Sequence, residues 1–236
     1  MTEATYTEQN VKVEYFHNLL QRIKDKPETY LGKPSITRLR MFLDGYGMAR
    51  CDLGLPRRSQ QKEFSGFQEW IQTRFNITST HGWDDIILFY SVDERDALDN
   101  FFKLFEQFCN DESVSRGIVM QEMTKGRLDF KSEYLYDMLQ NIKQRPGMYL
   151  GKCSITRLSM LLAGYAMARA ELGLPVTEQE KAFGGFQDWI QERYKITSTH
   201  GWDSIILFYS ADERDALNKF FELFEKFRNK EKASMG

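Results

Sequence analysis

The sequence predicts an all-α protein built from two homologous helical domains in tandem, and three observations lead there. First, the stretch "ITSTHGWD" at Ile77–Asp84 returns letter for letter at Ile196–Asp203. Shifting the chain by 119 residues aligns Glu14–Phe108 with Glu133–Phe227 without a gap, with 63 of 95 positions identical. That period is too long for a solenoid unit and suits a duplicated domain of roughly 100 residues. Second, the apolar residues of each copy recur at three- and four-residue spacing, the helical rule. Third, capping residues precede these runs and Gly or Pro follows them. We expect about five helices per domain, in a pseudo-twofold relation like that of an isologous dimer.

The first helix carries Tyr15, Leu19, Leu20 and Ile23 and ends at Pro27, which lacks the amide to continue it. Ser35 is placed to cap a second helix with Leu39, Phe42, Leu43, Tyr46 and Leu53 on its inner face, stopped by Gly54 and Pro56. A third carries Phe64, Phe67, Trp70, Ile71 and Phe75. Trp83, Ile86, Ile87 and Tyr90 fit a short fourth helix, with a buried strand "IILFY" as the alternative reading of the same run. Ser91-x-x-Glu94 reads as a capping box opening a fifth, with Ala97, Leu98, Phe101, Phe102, Phe105 and Phe108 inward. Phe102 and Phe105 are also placed to join the copies face to face. Copy two repeats these signals, and the expected organisation is a tail over 1–13, repeat one over 14–110, a linker over 111–130, repeat two over 131–230 and a tail over 231–236.

Composition narrows the function classes. The chain has 236 residues, 28% charged and 42% hydrophobic, with a net charge of −2, which disfavours a general nucleic-acid binder. No apolar run of membrane-spanning length and no secretory signal pattern occurs, so a cytoplasmic protein without a membrane partner is expected. The duplication then acts as a filter. Cys51, Cys109 and Cys153 face Ala170, Arg228 and Pro34, so no cysteine site is shared by both copies. His17 faces Tyr136, and the histidines kept in both are His81 and His200. No metal and no cofactor is expected, because a metal wants three or four ligands and these histidines have no kept companions.

Two motifs remain. "YLGKPSITR" at Tyr30–Arg38 and "YLGKCSITR" at Tyr149–Arg157 resemble a phosphate loop, but Pro27 and Pro34 stand where a P-loop needs Gly and Ser or Thr. "RPGMYLG" at Arg145–Gly151 is similar to "RPGMYIG" of the DNA gyrase ATPase subunit, yet no glycine-rich lid motif follows it. Lys33 and Arg38, with Lys152 and Arg157, sit around a helix start, where cations are disfavoured. They imply an anion: a carboxylate inside the fold, or an acidic or phosphate group outside it. In the octad, His81 and Asp84, with His200 and Asp203, have the i, i+3 spacing of an acid–base pair. The competing reading is structural: Ser79 or Thr80 caps the helix, and Trp83 anchors the turn by burial of about 2–3 kcal/mol.

The segments Pro27–Ala49, Phe64–Ile71, Gly82–Tyr90 and Asp93–Phe108, with their copies, resemble a family of small bacterial immunity-type proteins. That resemblance implies a non-enzymatic module that binds and neutralises a cognate toxin. The candidate contact residues are Tyr30, Lys33, Arg38, His81, Trp83 and Asp84, with Tyr149, Lys152, Arg157, His200, Trp202 and Asp203. The alternatives are an enzyme using His81/Asp84 and His200/Asp203, and a nucleotide or nucleic-acid binder using Lys33/Arg38 and Lys152/Arg157. The expected assembly is a monomer containing an internal pseudo-dimer, or a weak dimer.

Overall fold

A computed structural model describes residues 17–52, 57–111 and 134–235, and the side chains of all of these but 57–65, 231, 232, 234 and 235. The readings that fall on 1–13, Tyr15, Leu53, Gly54, Pro56, Phe64 and most of the 111–130 linker lie outside the described residues. The first half contributes α1 (17–25), α2 (Pro27–Leu31), α3 (Ile36–Asp52), α4 (Arg57–Phe75), α5 (Trp83–Phe89) and α6 (Glu94–Asn110). The second contributes α7 (Leu135–Gln144), α8 (Pro146–Leu150), α9 (Ile155–Glu171), α10 (Glu178–Tyr194), α11 (Trp202–Phe208) and α12 (Glu213–Met235). Among the described residues there is no strand, so "IILFY" is helical.

Three local expectations are corrected. Pro27 and Pro146 end one helix and also begin another, each sitting at the first position of a five-residue helix where its missing amide leaves nothing unpaired. The Ser91–Glu94 capping box does not form. Asp93 caps α6 by accepting from the amides of Arg95 and Asp96, while the Ser91 hydroxyl donates to the Ile87 carbonyl. Tyr90 faces outward, 51% exposed, because α5 stops at Phe89 before the helical rule can bring it inside. Ser35, by contrast, takes the amide of Arg38 as expected of a cap, and Ser154 does the same for Arg157.

The chain forms two compact units, one from Met1–Arg40 and Gln61–Gln121, the other from Met41–Gln60 and Glu122–Gly236. The core of the first is aromatic. Phe67, fully buried, has the rings of Trp83, Phe101, Phe105 and Phe108 within 5.4–5.9 Å. Such contacts add about 0.5–1.5 kcal/mol per pair beyond the burial itself. Phe105 and Phe102 therefore serve the core of their own unit, Phe102 lying edge-on to Phe101 at 5.2 Å. Gly66 lets α4 settle against Phe108, whose ring atom would lie 3.3 Å from an added Cβ.

In the second unit Phe186 occupies the same place, ringed by Trp202, Phe220, Phe224 and Phe227 at 5.4–5.9 Å. This unit also takes in residues 41–52 of α3, which cross α9 at close range. A Cβ on Gly45 would lie 2.0 Å from the Leu161 carbonyl oxygen, and one on Gly164 would lie 1.9 Å from that of Phe42. Only glycine permits backbones to approach so nearly. The polar contacts at the crossing are reciprocal as well. Tyr46 donates to Glu171 at 2.7 Å, and Tyr165 donates to Asp52 at 2.9 Å. Burial first, then the neighbouring carboxylate, pushes both phenols well above their ordinary range. Tyr134 stacks on Tyr165 at 4.5 Å and donates to Glu180, which also meets Arg169.

Candidate partner-binding surface

The repeated octad is a loop gripped from below by α4. Asn76 turns the chain out of α4 with a left-handed φ of 52°, and Lys195 does so with 54° after α10. Gln72 then donates to the Ser79 carbonyl at 2.8 Å. One turn earlier, Gln68 donates to the His81 carbonyl at 3.0 Å and accepts from the Trp83 amide at 2.7 Å. Gln191 and Gln187 repeat these bonds at 2.7, 3.0 and 2.6 Å. The Gln68 amide thus does what Ser79 or Thr80 was expected to do: it satisfies the first free amide of α5. The N-cap itself is Gly82, with no side-chain bond of its own. Sequence reasoning missed these glutamines. Their signal was present: "FQEWIQ" and "FQDWIQ" keep both amides at i, i+4 while nearby polar residues drift.

His81 and Asp84 have different surroundings. His81 is exposed and its Nδ1 lies 2.7 Å from the Ser79 hydroxyl, as His200 lies 2.8 Å from that of Ser198. Asp84 is turned inward, 5% exposed, and its carboxylate folds back over Gly82, where a Cβ would lie 2.5 Å from Oδ1. Arg40 pairs with it at 3.5 Å and lies over the Trp83 ring at 5.5 Å. Asp203 is buried likewise, but Ser159 stands where the first copy has Arg40, and Trp202 is half-buried instead of buried. Among the described residues no group of three His, Cys, Asp or Glu side chains is placed to hold a metal ion.

The cations at the α3 and α9 starts find their explanation inside the fold. The helix N-terminus is met by a carboxylate from further along the chain: Glu94 accepts from the Ser35 hydroxyl, the Thr37 amide and the Thr37 hydroxyl at 2.7, 3.1 and 2.8 Å. Glu213 meets Ser154 and Thr156 in the same way. This is the anion the macrodipole favours. Arg38 reaches back to the Leu31 carbonyl at 2.8 Å, and Arg157 to that of Leu150 at 2.9 Å, so both guanidinium groups cap the end of the preceding short helix. Lys33 and Lys152 are exposed beside them. Tyr30 and Tyr149 are half-buried, Tyr30 with Arg22 over its ring at 6.0 Å. The fold places this corner and the octad on separate loops.

The chain matches no family model, no curated protein and no solved structure.

What the fold does present, once per unit, is an exposed aromatic step at the end of the octad helix. In the first unit Phe89 is 78% exposed and meets Tyr90 edge-on at 5.1 Å, while Tyr90 stacks on Phe75 at 4.7 Å. In the second, Phe208 is 79% exposed and meets Tyr209 at 5.1 Å, while Tyr209 stacks on Tyr194 at 4.6 Å. Sequence reasoning had placed Tyr90 on the inner face of its helix, and Phe89 inside only in the alternative strand reading. The exposure of both follows from the short α5, whose last residues overrun the face that packs. No helix among the described residues is long and apolar enough to cross a membrane.

Proposed function

We propose that this protein is a non-enzymatic binding module that holds another protein through the Phe89–Tyr90 and Phe208–Tyr209 steps. One observation carries the reading: the same pair of large aromatic residues stands in water in both copies. A phenylalanine nearly four-fifths exposed gives up most of what burial would contribute to its own fold, whereas aromatic anchors dominate the energetics of protein interfaces. The octad then works as scaffolding, its two glutamines fixing the loop from which the aromatic helix projects. On the resemblance of its motifs to immunity-type proteins, the partner is a bacterial toxin, neutralised by occlusion in the cytoplasm. The duplication is read as an internal pseudo-dimer, a reading supported by the reciprocal Gly45/Gly164 and Tyr46/Tyr165 contacts.

The test is co-purification and calorimetry with the product of the adjacent gene. Wild type forms a complex and protects cells that express that product, whereas the Phe89→Ser/Phe208→Ser double variant, with unchanged circular dichroism, loses both. Full protection by the double variant refutes the reading.

A further inference from the structure

Beside the second aromatic step lies an open groove of about 590 Å³ lined by Arg193, Tyr194, Lys219, Glu222, Leu223 and Lys226. It runs between the C-terminal end of α10 and the middle of α12, and it is continuous with the step because Tyr194 is the ring on which Tyr209 stacks. Leu223 gives it an apolar floor that is nearly closed to water. Its cations differ in their commitments. Lys219 is engaged, bonded to Asp215 and to the Tyr209 carbonyl, both at 2.8 Å. Arg193 lies over the Trp189 ring at 5.3 Å, and neither it nor Lys226 has a carboxylate partner among the described residues. Arg193, Lys219 and Lys226 against the single carboxylate of Glu222 leave the lining around Leu223 net positive.

We propose that this groove docks a short acidic segment of a partner protein, one that carries a large apolar side chain flanked by carboxylates. The apolar side chain lies on Leu223 and Tyr194, and the carboxylates meet Arg193 and Lys226. Charge complementarity selects the occupant. A nucleic acid fits less well, because Glu222 lies within the groove and the whole chain carries −2. The first copy is not equivalent. Arg74 is kept, but Asn100, Lys103 and Gln107 replace Lys219, Glu222 and Lys226, and Phe75 replaces Tyr194. The first copy thus carries its two cations at Arg74 and Lys103 and has none at the Lys226 position, so the proposal is made for the second copy, and it rests on the partner-binding reading above.

The experiment uses the full chain and a fluorescein-labelled peptide Glu-Glu-Leu-Trp-Glu-Glu, followed by anisotropy, with Lys-Lys-Leu-Trp-Lys-Lys and a twelve-residue oligothymidine as competitors. Arg193→Glu/Lys226→Glu is expected to weaken the acidic peptide by about tenfold, as reversal of two exposed charges should. Arg74→Glu in the first copy should leave it unchanged, and salt should weaken the wild-type complex. No binding of the acidic peptide, equal binding of the basic one, displacement by the oligothymidine, or indifference to Arg193→Glu/Lys226→Glu overturns the proposal. The same variant assayed with the adjacent gene product separates the two readings. Complex formation that survives it but fails in Phe89→Ser/Phe208→Ser removes the groove and leaves the binding module standing.

Discussion

Replacing Gly45 by alanine puts the α3–α9 crossing under direct test. The new Cβ would lie 2.0 Å from the Leu161 carbonyl oxygen and 2.8 Å from its carbon, whereas ordinary contact begins near 3.4 Å. A helical carbonyl cannot swing aside, so the two helices must separate by about 1.4 Å at this point. Overpacking of a closed contact costs about 1–3 kcal/mol. Strain on the Tyr46–Glu171 and Tyr165–Asp52 bonds adds about 1 kcal/mol each. Against this stands the gain of about 1 kcal/mol from replacing glycine within a helix. The net expectation is a loss of about 2–4 kcal/mol, read as a urea midpoint lowered by about 1 M or more. Gly184→Ala is the internal control: it lies inside α10 with nothing within 4 Å of its Cβ, so the same chemical change should stabilise by up to about 1 kcal/mol. A Gly45→Ala midpoint at or above wild type, or one that follows Gly184→Ala, refutes the close crossing. Gly164→Ala should behave as Gly45→Ala does, and the double variant should lose less than the sum because both act on one contact.

Three further outcomes follow from the same geometry. Tyr46 and Tyr165 carry phenols raised above the ordinary value near 10 by burial and by Glu171 and Asp52, so the folded state holds protons that the unfolded chain releases. Stability should be fully present below about pH 10 and fall as pH rises above it, and Tyr46→Phe/Tyr165→Phe should flatten that fall in pH-dependent urea titrations. Gln68→Ala and Gln187→Ala each leave a loop carbonyl and a helix amide without their partner, and each should lower stability by about 1–2 kcal/mol in urea unfolding followed by tryptophan fluorescence. His81→Ala, which removes an exposed ring, should stay within about 0.5 kcal/mol. Arg40→Ser gives the first copy the arrangement that the second already has, so its loss should be limited to about 1 kcal/mol in the same measurement.

The helical class and most element positions were legible because helix periodicity and Gly/Pro punctuation are local signals. Ser35 and Ser154 could be read as caps for the same reason. Glu94 could not be read correctly. A glutamate three residues after Ser91 looks like a capping box, but 57 and 59 residues back in the chain lie Thr37 and Ser35, which offer it three donors at once. Long-range competition of this kind leaves no trace in spacing. The octad's fidelity was visible and its cause was not, since the gripping groups, Gln68 and Gln72, sit on another helix. The outward Tyr90 was hidden because periodicity assigns a face without saying where the helix stops. The close crossing was hidden too, because "GY" at Gly45–Tyr46 and Gly164–Tyr165 reads as an ordinary kept pair until its partner helix is known.

Residues 41–52 have a consequence for how this gene can change. Two homologous stretches, identical at 63 of 95 positions, could be reduced to one by an in-frame deletion of the first. The product would keep a complete α9, yet Phe42 and Tyr46, which now lie sealed against water, would be gone from beside it. What remained would leave the stretch of helix around Gly164, now covered by the backbone of Phe42, open to water.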